Sequence, residues 1–403
     1  MGGARATRLA YFVSHPIQYQ APLLRSIAAQ PDIDLTVYFT TDFSVRGYMD
    51  EGFGVRVAWD IPLLDGYKHE VLPKRMLKNA SHIRQVSSGI HHRLRRGRFD
   101  AVWLHGYSSF DCLQALVASR LLGIPVLLRS DSTLYDRDRS PLKLRLKAAF
   151  FRALRQGVSG ILACGKANRQ YWEHYFGKDF PIFDMPYAVD NEFFQQQALQ
   201  ASPRREQLRA ELGLAPGRPV ILFASKLQER KRCLDLVEAF LQIHGSPDEP
   251  SNPYLLIIGD GEQRSEIERR SAAKDGIRIL GFRNQSELPR FFDLCDVFVL
   301  PSVHEPWGLV VNEAMNAGKA IVVSDQVGCQ PDLVRDGING AVFEAGNVDS
   351  LGRALRRVLA SPETWARMGR ESLHIINNFG FDRDHAALRQ ALRSLVPAAE
   401  CPE

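Results

Sequence analysis

No stretch of the 403 residues offers the ~18 to 20 consecutive apolar positions that a membrane-spanning helix needs, so a helical membrane protein is excluded. The six cysteines, Cys112, Cys164, Cys233, Cys295, Cys329 and Cys401, are scattered and never form a Cys-x-x-Cys pair. That gives a zinc framework no support and makes a reduced, cytosolic chain the simplest expectation. The opening residues MGGARATRLAYFVSH lack the apolar core of a signal peptide, and Ala6 stands where an N-myristoylation motif asks for Ser or Thr. No Gly-x-Gly-x-x-Gly follows the first strand-like run, so a dinucleotide-dependent oxidoreductase would lack its phosphate loop. There is no short-period repeat and no low-complexity segment.

What is present is an ordinary ordered composition, 45% hydrophobic and 24% charged, in a chain long enough for two domains of about 180 residues. The net charge of +5 is modest but unevenly placed. Between Lys74 and Arg98 there are eight Lys/Arg, three His and no acid, and between Arg137 and Arg155 the basic residues face Asp138 alone. Such blocks suit anionic partners: phosphates, nucleic acid or a lipid surface.

Short β-branched runs alternate with helical patterns. Leu9–Ser14, Leu35–Thr40, Ala101–Gly106, Pro125–Ser130 and Gly160–Gly165 read as buried strands, with helical stretches such as Ser108–Gly123 between most of them. Residues 195–218 carry no strand signal, and the alternation then restarts with Pro219–Ser225, Tyr254–Gly261, Ile277–Phe282, Val297–Ser302, Ala320–Asp325 and Gly340–Ala345. The pattern predicts an α/β protein with two Rossmann-like, doubly wound parallel sheets facing a central cleft. The expected boundaries are a first domain over 1–190, a linker over 191–217, a second domain over 218–375, and a C-terminal helix in 376–403 packing back on the first domain.

Ligands of such sheets bind beyond the strand C-termini. After the strand Val297–Ser302 comes Glu305, a Pro306-Trp307-Gly308 turn, and a helical run Leu309–Ala317 that holds Glu313 about one turn in. The amides of Gly308, Leu309 and Val310 at that helix start form an anion site, although the helix dipole alone also favours a glutamate there. Lys226, Arg230, Lys231 and Arg232 follow the strand Pro219–Ser225, as suits a diphosphate, although a solvated helix start reads the same way. Gly259 and Gly261 end another strand and let backbone approach a ligand. Cations for phosphates and carboxylates for hydroxyls describe a nucleotide diphosphate carrying a sugar.

On these residues the chain resembles the retaining glycosyltransferase family 4, of GT-B fold. Residues 219–345 look like its donor domain, and Glu305-x7-Glu313 matches its paired-glutamate signature. SKLQERK resembles its (G/S)-R-L-x-x-x-K phosphate motif, with Lys226 where Arg is usual. The resemblance implies that Glu305 touches the donor sugar and Glu313 the ribose. It also implies that Lys226 and Lys231 hold the diphosphate and that Phe282 and Arg283 border the base. UDP is the base it makes the default, with front-face transfer, no enzymic nucleophile, no resident cofactor and no metal dependence. Asp-Arg-Asp occurs at 136–138 and 382–384, but neither copy follows a strand.

In the first domain the loop after the opening strand places His15, Gln18 and Gln20 together, and its Ser-His-Pro-Ile-Gln-Tyr opening resembles a subgroup of the family. These side chains suit contacts to an acceptor or a donor phosphate, with loop packing the alternative. His105, Arg129 and Asp131 stand at strand ends as candidates for contact with the transferred sugar, His105 and Asp131 for a catalytic part; Arg-Ser-Asp-Ser replaces the histidine that relatives commonly carry. The stretch Ser140–Gly157 reads as a basic helix with an apolar stripe of Leu142, Leu146, Ala149, Phe150 and Ala153, and with Leu144 and Phe151 opposite. That opposite side, with Arg145, Arg152 and Arg155 around Leu144 and Phe151, suits either an anionic membrane surface or a second packing contact inside the domain. The expected partners are thus a nucleotide-sugar donor, a saccharide or lipid-linked acceptor in surface-polysaccharide assembly, and peripheral membrane contact through 74–98 and 140–157. The competing readings are a nucleotide-sugar epimerase of the same fold and a nonenzymatic basic nucleic-acid binder; the latter leaves Glu305 and Glu313 unexplained.

Overall fold

The computed structural model describes residues 5–79, 82–134, 141–244, 252–272 and 276–396. Gly2, Cys401 and the first Asp-Arg-Asp copy lie outside them, as do residues 80 and 81 of the first basic block and residues 137–140 of the second. The chain divides into two compact units: Met1–Gly47 with Pro62–Pro186 and Phe381–Glu403, and Tyr48–Ile61 with Tyr187–Gly380.

The first unit opens with β1 (Thr7–Val13) and β2 (Ile33–Phe39). The chain then makes an antiparallel hairpin, β3 (Tyr48–Asp50) and β4 (Val55–Val57), that belongs to the second unit. It returns for β5 (Lys68–Val71), a second hairpin of β6 (Lys74–Asn79) and β7 (His82–Ser87), and β8 (Ala101–His105), β9 (Val126–Arg129), β10 (Gly160–Ala163) and β11 (Ile182–Asp184). Seven strands pair in parallel in the order β11-β10-β9-β8-β1-β2-β5. Side chains alternate between two cores, as a period of two demands. Leu9, Tyr11, Val37, Trp103 and Leu127 face one side, which includes Leu388 and Ala391 of the helix Phe381–Leu395. Ala10, Phe12, Val102, Leu104 and Leu128 face the other.

The second unit carries β12 (Val220–Ala224), β13 (Tyr254–Ile258), β14 (Ile277–Gly281), β15 (Val297–Leu300), β16 (Ala320–Ser324) and β17 (Gly340–Phe343). Their parallel order is β14-β13-β12-β15-β16-β17. Apart from the edge strand β14, nearly every strand residue is buried, which is why these segments read as apolar runs rather than alternating ones. Residues 191–217, expected as a linker, instead supply helices Asn191–Ala201 and Arg205–Glu211 to this unit. Phe194, Ala198 and Leu208 supply the buried positions, and Arg205 ties to Asp293 at 2.5 Å.

The basic helix runs Pro141–Gly157. The apolar stripe read from its sequence faces solvent: Leu142, Leu146 and Phe150 are exposed, together with Leu144. Phe151 and Leu154 are the buried residues, because Phe151 packs among Tyr107, Tyr171, Trp172 and Tyr175.

Each sheet has one point where successive strands lie on opposite sides of their predecessor, and crevices for ligands open there. It falls between β1 and β8 in the first unit and between β12 and β15 in the second.

Candidate functional site

At the switch point of the second unit, β15 ends at Leu300 and the chain loops through Glu305 to the helix Leu309–Asn316. The loop is pinned by its backbone: the Gly328 amide donates to the Glu305 carbonyl at 2.8 Å and the Cys329 amide to that of Trp307 at 2.9 Å. Gly308 starts the helix at φ +95°, and a Cβ there would lie 2.9 Å from Leu300 and 3.3 Å from the Glu305 side chain. Only glycine turns that corner without displacing Glu305. No side chain caps the helix start, so its first amides stay available to an anion. Trp307 Nε1 donates to Asn312 at 3.0 Å and Asn312 in turn to the Tyr187 carbonyl at 3.1 Å, which locks the helix from behind.

From the neighbouring β12 come Lys226 and Lys231. Lys231 is 7% exposed and its ammonium donates to the Glu305 carboxylate, forming a buried ion pair across 74 residues of sequence. Burial pulls the Lys231 pKa below the ordinary lysine value, and the charge of Glu305 works against that shift. Arg230 supports the same loop, donating to the His304 carbonyl at 3.1 Å while its own carbonyl accepts from Val303 at 2.9 Å. Lys226 does not point at open solvent. Its ammonium reaches both carboxylate oxygens of Asp50, at 2.7 and 3.0 Å.

Beyond β13, the Leu227 amide donates to the Asp260 carbonyl at 2.8 Å. Gly259 sits at φ +138°, and a Cβ on it would meet the Ser225 carbonyl at 1.9 Å, so the β12 and β13 loops touch backbone to backbone. Gly261 packs in the same way against the Leu227 and Gly52 carbonyls. After β14, Phe282 meets Phe53 edge to face at 4.9 Å, and Arg283 keeps a buried Nε with no hydrogen-bond partner among the described residues.

Glu313 differs from Glu305. It sits half-buried inside its helix with no donor to its carboxylate among the described residues, and burial raises its pKa to about 8. A carboxyl left alone in such a place is ready to accept hydrogen bonds from a ligand.

At the first unit's switch point Tyr11, Gln20 and His105 are neutral groups joined by hydrogen bonds, with the Arg129 guanidinium buried beside them. Gln20, 5% exposed, accepts from Tyr11 Oη at 2.9 Å and lies 3.0 Å from His105 Nε2. Burial, with Arg129 adding, lowers His105 to about 3. His15 meets Phe43 at a tilt, ring centres 4.6 Å apart, and its Nδ1 lies 2.8 Å from Ser14 Oγ; burial lowers its pKa too. Gln18 is half-buried and Asp131 exposed. Arg129 is buried, donating to the Met185 and Pro186 carbonyls at 2.9 and 3.3 Å.

Sequence reasoning missed Asp50 and the hairpin that carries it. Each hairpin strand is three residues long, too short for a periodic signal. The only cue was an unpaired acid beside the glycines of Asp50-Glu51-Gly52-Phe53-Gly54.

Among the described residues no helix is long and apolar enough to cross a membrane, and no cluster of His, Cys, Asp and Glu has the makings of a metal site. Residues 204–374 match the family Glycosyl transferases group 1. The alpha-D-kanosaminyltransferase of Streptomyces kanamyceticus is 25% identical over 62% of this chain and 65% of its own length. The UDP-Gal:alpha-D-GlcNAc-diphosphoundecaprenol alpha-1,3-galactosyltransferase of Escherichia coli is 26% identical over 70% of this chain and 73% of its own. For other relatives the matched stretch spans 38% to 81% of their own length. The fold is that of Anabaena Alr3699/HepE, solved in complex with UDP and glucose, at a TM-score of 0.71 and 19% identity over 96% of this chain and 100% of that one.

Proposed function

We propose that the protein, a chain of GT-B fold whose residues 204–374 match the glycosyl transferases group 1 family, is a retaining glycosyltransferase. It moves a sugar from a nucleotide-diphosphate sugar, UDP-linked by default, to a hydroxyl of a saccharide or lipid-linked saccharide in glycan assembly. The observation that carries this reading is the buried Lys231–Glu305 pair at the switch point, with the unpartnered Glu313 on the helix that follows.

In this reading the bond between the sugar's anomeric carbon and the phosphate oxygen breaks, and the electron pair leaves with the nucleoside diphosphate. Lys226, Lys231 and the helix start at Gly308 stabilise the charge that builds there. The acceptor oxygen bonds the anomeric carbon on the face the phosphate leaves, and its proton passes to a phosphate oxygen. Glu305 and Glu313 accept hydrogen bonds from hydroxyls of the sugar and ribose, and Phe282 and Arg283 border the base. The chemistry needs no resident cofactor and no metal. A UDP-bound structure of the same fold supports the choice of base, and a relative named for a diphosphoundecaprenol-linked substrate supports a lipid-linked acceptor. The exposed Leu142, Leu144 and Leu146, flanked by Lys143 and Arg145, suit peripheral docking on an anionic bilayer.

A thermal-shift screen of nucleotide-sugars tests the donor, since a bound donor stabilises the native state. The expected result is a rise in Tm with at least one of them. Nucleoside diphosphate should be released only when acceptor saccharide is added, and the product's anomeric proton should keep the donor's configuration. Conversion of the donor without acceptor would favour the epimerase. Failure to sediment with phosphatidylglycerol vesicles would remove the membrane contact and leave the donor reading intact.

A further inference from the structure

The hairpin Tyr48–Ile61 sits on the strand ends that the donor reading assigns to the diphosphate and the base. Asp50, 8% exposed, binds Lys226 through both oxygens. The carboxylate is held from its own side by the Gly52 and Phe53 amides at 2.9 and 3.0 Å and by Tyr48 Oη at 3.2 Å. Phe53 lies over the Lys226 ammonium at 4.8 Å and against Phe282. Gly52 fills the remaining space: a Cβ there would stand 2.7 Å from Lys226 Cδ, and its carbonyl faces Gly261. Three of the residues assigned to the donor, Lys226, Gly261 and Phe282, are thus covered by three hairpin residues, Asp50, Gly52 and Phe53.

We infer, resting on that donor reading, that this hairpin is an internal stopper whose Asp50 carboxylate holds the seat of a donor phosphate on Lys226. Carboxylate and phosphate oxygens both accept charge-assisted hydrogen bonds from a lysine ammonium. Two anions cannot share one ammonium without repulsion, so the nucleotide enters as Asp50 leaves. The hairpin is built to lift. Of its residues only Asp50 and Val57 are buried, while Met49, Glu51, Gly54, Arg56, Ala58 and Asp60 are exposed. Its far end is held by polar tethers, Asn284 Nδ2 to the Ala58 carbonyl at 2.6 Å and the Ser286 amide to Asp60 at 3.2 Å. Specificity follows from the same contact: a ligand with a diphosphate and a flat base replaces both Asp50 and Phe53, whereas a sugar alone replaces neither.

The test is titration calorimetry of the full chain with UDP, GDP, ADP and dTDP. A ligand that binds only the unseated form has its apparent Kd raised by the fraction of molecules left open. Asp50→Asn keeps the side chain's shape and removes its charge. It should lower Kd by about tenfold if about nine molecules in ten are closed. The gain should vanish in a Lys226→Ala background. Asp60→Ala, which loosens only the far tether, should lower Kd by a smaller factor. Unchanged or weaker binding by Asp50→Asn, with the wild type still binding, overturns the stopper and leaves the donor reading standing. If none of the four nucleotides binds either protein, both fall together.

Discussion

The two sheets put polar groups at the same topological point and furnish it in opposite ways. At the second unit's switch point a buried lysine meets a half-buried glutamate, another lysine meets an aspartate, and one carboxyl has no donor among the described residues. At the first unit's, Tyr11, Gln20 and His105 share hydrogen bonds between neutral groups. Burying a charge is costly unless it is paired or serves a ligand, so the point with two lysine–carboxylate pairs is the one that suits an anionic substrate; at the other the buried Arg129 donates to backbone carbonyls, and the neutral trio suits hydroxyls.

The sharpest way to break that contrast is to remove the charge from one side of the buried pair. Glu305→Gln should lower turnover by about 100- to 1,000-fold, as loss of a preorganised electrostatic contact does. Leaving Lys231 without its partner should also cost about 3–5 kcal/mol of stability. Lys231→Met combined with Glu305→Gln should recover most of the stability, read by urea denaturation, and none of the turnover. A Glu305→Gln enzyme at full activity would remove Glu305 from the site.

Glu313 should give a smaller effect with a pH signature. Its folded pKa of about 8 lies above the ordinary glutamate value, so the folded state binds a proton that the unfolded chain releases at lower pH. Stability is therefore lost as pH rises from about 4.5 to about 8 and stays low above that. Glu313→Gln should match the wild type near pH 4 and exceed it at pH 9, by on the order of 2–4 kcal/mol. Equal Tm gaps at the two pH values would mean that the carboxyl is solvated.

The smallest effect belongs to the neutral point. His105, lowered to about 3, carries no charge change between pH 5 and 9. His105→Gln should shift turnover by less than about tenfold and leave the shape of the pH–rate profile unaltered. Loss of an ionisation near pH 6 in that variant would make the two points alike.

Much of this was legible in the sequence because a buried parallel strand must be a short apolar run, and the loops after such runs must carry the chemistry. Lys226, Lys231, Gly259, Gly261 and Glu305 stand in the loops after strands, and Glu313 on the helix that follows one, for that reason. What pairs with what was not legible. The Lys231–Glu305 bond joins residues 74 apart and the Lys226–Asp50 bond residues 176 apart, and no local pattern encodes either. The helices Asn191–Ala201 and Arg205–Glu211 were hidden by their polar surfaces, since few of their positions are buried. Which side of Pro141–Gly157 turns inward was not legible either, because it is decided by the aromatic cluster that buries Phe151 and not by the helical period of its leucines.

The excursion of residues 48–61 into the second unit bears on any attempt to transplant donor recognition. The segment matching the glycosyl transferases begins at residue 204, so a chimera grafted at that boundary would inherit both lysines and both glutamates but not Asp50. Such a graft should bind nucleotide more readily than its parent and guard it less well, and adding 48–61 back as a separate insert is the way to return its restraint.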